Sequence, residues 1–153
     1  MKTQNENSIA TLNGLIETCR DGAQGYKVAA DDAKDAGLRS RFLGYAQERE
    51  AFTRELSACV RALGGDPDKM GSVTGTVHRG WINLKAALSS DEPHAVLAEC
   101  ERGEDSAVKA YREAGSSLTD PAASVIVLRQ MNAVQAAHDC VRELRDGAMV
   151  PQR

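Results

Sequence analysis

The sequence predicts an all-α protein: four long helices arranged as two antiparallel hairpins, joined by a long crossover that carries a short helix. Three observations carry that expectation. Apolar residues recur at steps of three and four through four long segments, the spacing of a helix face turned to a core. Ala and Leu are frequent, aromatic residues make up 4% of the chain, and the four prolines fall between or after the helical runs. Two of the three connections are short, whereas the middle one spans nearly thirty residues, from Gly64 to about Glu92. The 153 residues fit one domain, 1–153, large enough to bury a continuous core.

The first helix is expected from about Asn7 to Ala36, with Ile9, Leu12, Ile16, Cys19, Ala23, Tyr26, Ala30 and Ala33 on its inner face. Gly37 stands where helices commonly end. The second helix starts at Leu38 and carries Leu38, Phe42, Tyr45, Arg49, Phe52, Leu56, Cys59 and Leu63 before Gly64-Gly65-Asp66-Pro67 stops it. So short a connection makes the first two helices antiparallel neighbours. The middle connection holds a helical run over Val77–Leu88 and is long enough to travel the length of the helices. The third long helix begins near Pro93, with Ser90 or Asp91 as its cap. Its inner face reads Leu97, Cys100, Glu104, Ala107, Tyr111, Ala114 and Leu118. Thr119-Asp120-Pro121 launches the fourth, with Val127, Met131, Val134, His138, Val141 and Leu144 or Arg145 inward, and the chain frays from Gly147. Two hairpins with one long crossover is the ferritin-like arrangement of a four-helix bundle.

The stripe is broken in three of the four helices. Arg49, Glu104 and His138 stand where core side chains belong, and an apolar interior does not hold such groups unless they are paired, hydrogen-bonded or bound. Ferritin-like metal sites use inward carboxylates on all four helices and a Glu-x-x-His pair on two of them. Here neither pair is intact. Glu48 and Glu50 are followed three residues on by Ala51 and Thr53, and Gln135 precedes His138 by three. A one-metal site remains open to Glu17, Glu50, Glu101, Glu104 and His138, with iron, manganese or zinc as the ion. Arg49 weighs against it, since a guanidinium in the seam repels a divalent ion. The competing reading is an internal network, Arg49 with Glu104 or Glu17, and His138 with a carboxylate or tyrosine. A different small ligand is the third.

Other features narrow the field. A net charge of −3 and a pI near 5.6 argue against non-specific binding to nucleic acid or anionic lipid. No apolar stretch reaches membrane-spanning length, and no signal core follows Met1, which points to a soluble cytoplasmic protein. Cys19, Cys59, Cys100 and Cys140 fall one to each long helix without C-x-x-C spacing, so each reads as a small hydrophobe. Gly22 and Gly25 sit inside the first helix at a cost of about 1 kcal/mol each relative to Ala, which close approach of the crossover or a neighbouring helix would justify. Trp81 reads as a pin fastening the crossover to the helices, in preference to a binding surface. A homo-oligomer is compatible with such a chain, but no surface is singled out for it.

Several motifs together resemble a family of uncharacterised bacterial ferritin-like four-helix-bundle proteins, conserved hypothetical proteins, over nearly the whole chain. They are Leu12-Asn13-x-Leu15-Ile16-Glu17, Asp21-Gly22-x-x-Gly25-Tyr26, and Glu55-Leu56 ahead of Leu63-Gly64-Gly65. They continue in His78-Arg79-Gly80-Trp81-Ile82-Asn83-Leu84-Lys85, Glu101-Arg102-Gly103-Glu104-Asp105, Tyr111, and Ala137-His138-Asp139. The resemblance implies the fold and no established activity. The expected function is therefore a non-catalytic or at most metal-binding bundle, stress-related by analogy. The alternatives are an interaction or scaffold protein with a buried ion-pair network, and a di-metal oxidoreductase of the ferritin and rubrerythrin class.

Overall fold

The computed structural model describes residues 3–69, 81, 83–90 and 92–148. Among them all regular structure is helical. Helix α1 spans Gln4–Asp32, α2 Ala36–Ala62, the short α3 Leu84–Ser89, α4 Pro93–Ser117 and α5 Pro121–Ala148.

The ends are set by local chemistry, and two differ from expectation. Helix α1 starts earlier than Asn7 because Thr3 and Glu6 form a reciprocal capping box. The break after it falls before Gly37, not at it. Asp35 accepts the Leu38 amide at 2.7 Å and opens α2, so Gly37 lies inside the first turn. Gly64, at φ +85°, closes α2 in the left-handed conformation that glycine adopts without penalty. Helix α4 begins at Pro93 as expected, but its cap position is Glu92, whose side chain makes no capping bond. Asp120 caps α5 through the Ala123 amide. Residues 77–80, part of the expected short helix, lie outside the described residues.

The four long helices pack side by side, α1 against α2 and α4, and α5 against α4 and α2. One apolar cluster joins Leu12–Cys19 of α1, Phe52–Val60 of α2, Ala107–Ala114 of α4 and Ala123–Val134 of α5. The other joins Tyr26–Ala30, Phe42 and Ala46, Leu84, Val96–Cys100 and Val141. This pairing of segments makes α1 antiparallel to α2 and α4, and α4 antiparallel to α5. It leaves α2 and α4 parallel, so the link between them joins opposite ends of the assembly. Its described parts trace the route along α1: Asn13 donates to the Asp66 carbonyl, Arg20 pairs with Asp68, and Trp81 lies on Gly25.

Trp81 explains two glycines. A Cβ on Gly25 would stand 2.4 Å from the indole, and one on Gly103 of α4 would stand 2.3 Å from it. The two helices thus leave a slot one aromatic ring wide, closed at its side by Tyr26, whose ring meets the indole edge-on at 5.1 Å. The segment is held a second time where the Asn83 amide donates to the buried Glu99 carboxylate at 2.6 Å. The expected pin is present. Gly115, on the same helix as Gly103, has nothing within 4 Å of its absent Cβ. Gly103→Ala is therefore expected to lower stability by about 1–3 kcal/mol through overpacking, while Gly115→Ala raises it by about 1 kcal/mol through helix propensity. Thermal unfolding of the two variants checks the opposite signs.

Candidate functional site

Between the two apolar clusters lies a polar layer, built from the residues that break the sequence stripe. Arg49 stands between Ala46 and Phe52 on α2, Glu104 between Cys100 and Ala107 on α4, and His138 between Val134 and Val141 on α5. The Arg49 guanidinium donates to Glu104 Oε2 at 2.6 Å, with side chains 1% and 0% exposed. The ion pair joins α2 to α4 between the two apolar clusters. Gly22 makes room for it: a Cβ there would lie 3.2 Å from Arg49 Nη1. The guanidinium also lies 5.8 Å from the centroid of the Tyr26 ring.

The surroundings respond to these charges. Burial works against the Arg49 charge, but the Glu104 carboxylate outweighs it and holds the guanidinium above its ordinary value. Burial pushes the Tyr26 hydroxyl well up, and Glu104 adds to that. Burial also raises Glu48, with Arg49 opposing and Glu104 reinforcing. Arg49 Nε and Glu104 Oε1 are buried without hydrogen bonds among the described residues.

A second network runs through all four long helices. The buried Cys19 thiol lies 3.0 Å from the Tyr111 hydroxyl, which donates to Gln130 Oε1 at 2.7 Å. Gln130 Nε2 donates to Glu55 Oε1 at 3.2 Å and to the Phe52 carbonyl at 3.4 Å. Burial raises the Cys19 pKa to about 11, which keeps it a thiol and a donor. All four cysteines are free. Gln130, fully buried, was not among the expected inner residues, although it follows Val127 by three on the same helix face.

At the edge of the polar layer, His138 draws carboxylates together. Its Nε2 lies 2.6 Å from Asp105 Oδ1 and 3.9 Å from Glu101 Oε1. Glu101 and Asp105 are four apart on α4 and so share one face. Asp139 Oδ1 takes the other ring nitrogen at 3.0 Å and also accepts from Gln135 Nε2 at 3.0 Å. These two bonds, the His138 one foremost, hold the Asp139 carboxyl below its ordinary value. The opposite oxygen of Glu101 is bound by Arg145. Ligand atoms of Glu101, Asp105 and His138 all lie within 4.8 Å of one another.

Of the five residues expected from sequence, the structure brings Glu101 and His138 together. Glu104 is held by Arg49, and Glu50 by Lys27 at 2.5 Å. Glu17 is half-buried on α1 and, like Glu50 and Glu104, is outside the group of three. Asp105 was missed, since it lies one position past the seam and its side chain is 61% exposed. Its signal was present in the four-residue step from Glu101.

Removing one partner of the central pair leaves a buried charge, whereas removing both removes the desolvation cost as well. Glu104→Leu alone is expected to destabilise by about 3–5 kcal/mol, and Arg49→Met with Glu104→Leu to be neutral or stabilising. Urea unfolding of the single and double variants measures the difference.

A family model described as a domain of unknown function, DUF2383, matches residues 7–116. The match takes in Arg49, Glu101, Glu104 and Asp105 and stops before α5, which carries His138. No curated protein matches the chain. No helix among the described residues is long and apolar enough to cross a membrane.

Proposed function

The chain belongs to the DUF2383 family, a domain of unknown function, and we propose that it is a single, non-catalytic, ferritin-like four-helix-bundle domain that binds a divalent transition-metal ion. The ion sits between Glu101, Asp105 and His138. The observation that carries this reading is the convergence of one imidazole nitrogen and two carboxylates, from adjacent helices, within 4.8 Å. Bonds of about 2.0–2.1 Å around a tetrahedral ion separate its ligands by about 3.3 Å. The separations of 2.6 and 3.9 Å from His138 Nε2 bracket that spacing.

The surroundings of the imidazole support the same reading. With an ion bound, an Nδ1–H donated to Asp139 leaves the Nε2 lone pair to the metal in place of the 2.6 Å hydrogen bond to Asp105, and Gln135 steadies Asp139. Metal-binding histidines are commonly oriented by such a carboxylate. A nitrogen ligand favours iron, manganese or zinc over magnesium or calcium, whose preference is for oxygen alone. Three protein ligands leave coordination positions to water on the open side, where Asp105 is exposed.

The scaffold reading is favoured for the centre of the bundle, where Arg49 and Glu104 fill the place of an interior metal. That pairing also disfavours a di-metal oxidoreductase of the ferritin and rubrerythrin class, which needs interior carboxylates free to bind. The bundle then carries its ion at the side, not at its centre.

Metal analysis by mass spectrometry, on protein purified without chelator and supplied with iron, manganese and zinc, tests the assignment. About one equivalent of a single metal is expected in the wild type and in Glu50→Gln, and none in His138→Ala or Asp105→Asn with helicity kept. Full metal content in His138→Ala would contradict it.

A further inference from the structure

We propose that Arg145 is a built-in competitor for this metal site: it holds Glu101 and so keeps the affinity for a divalent ion low. The inference rests on the metal-binding reading above. Arg145 follows His138 by seven residues, two turns of α5, and therefore returns to the same helix face. Its Nη1 binds Glu101 Oε2, while Glu101 Oε1 faces His138 Nε2. Its Nε and Nη2 hold Asp146 at 3.2 and 3.0 Å, so the guanidinium is docked between two carboxylates. An entering ion has to draw Glu101 away from this partner or accept a positive charge one carboxylate away, and either lowers its affinity.

Arg142 offers a comparison inside the same cluster. It lies 3.7 Å from Asp139, the carboxylate that orients His138, and touches no oxygen of the three ligands. Its effect on the ion is thus more remote. The arrangement describes a site that fills only when the metal is abundant.

The opposite role is also definable. If Arg145 positions Glu101 for the metal, its removal weakens binding; if it competes, its removal tightens binding. Zinc chloride titrated calorimetrically into the full chain reads the sign. Arg145→Gln is expected to bind one zinc at least tenfold more tightly than wild type, and Arg142→Gln to change affinity less. Arg145→Met serves as a second variant of similar volume, and circular dichroism verifies that both are folded. One equivalent bound by Arg145→Gln but none measurable by wild type would also support competition. Equal or weaker binding by the folded Arg145 variants, with wild type binding one zinc, would overturn the competitor and leave the metal site standing. No stoichiometric zinc in wild type or either Arg145 variant would overturn both.

Discussion

The structure depends most on one interaction, the buried pair of Arg49 and Glu104. Opposite charges fully out of water must meet, because either alone would carry a desolvation cost that a domain of this size does not tolerate. That requirement ties the register of α2 to that of α4. It also accounts for neighbours that look unrelated in sequence: Gly22 leaves room for the guanidinium, and Tyr26 lies alongside it. The pair lies between the two apolar clusters, where the attraction of matched charges offsets the cost of their burial with little net gain in stability.

The second constraint is steric. Gly25 and Gly103 are poor helix residues that leave a slot for Trp81, so the crossover is tied down where α1 and α4 come together. The slot closes over the same layer: Gly103 precedes Glu104, and Gly25 precedes Tyr26. The half-buried indole, packed between the two helices, offsets two unfavourable helix positions. Glu99 completes the fastening by accepting the Asn83 amide.

Much of this was legible from residue spacing. The inner faces of all four long helices, the short connections and the breaks at Arg49, Glu104 and His138 follow from periodicity, whereas the partner of Arg49 was narrowed only to Glu104 or Glu17. Helix ends were less legible, because Asp35 and Thr3 act through single side-chain hydrogen bonds that apolar periodicity does not register. The partner of Gly25 was foreseen only as a crossover or a helix, since Trp81 is far away in the chain. Gln130 and Asp105 escaped for a related reason. A polar residue beside a seam reads as solvent-facing until another helix supplies Tyr111 or His138 to meet it. The five carboxylate and imidazole candidates could be gathered by helix face, but which of them meet depends on rotation and register between helices.

An interior that holds itself together with an ion pair thus stands apart from an edge where an imidazole and two carboxylates converge within 4.8 Å. Diffraction from zinc-soaked crystals, recorded at the zinc absorption edge, tests that separation most directly. The account predicts one anomalous peak bonded to Glu101, Asp105 and His138, with Arg49 still on Glu104. A peak in the interior beside Glu104 and Glu48, with Arg49 displaced, would contradict it.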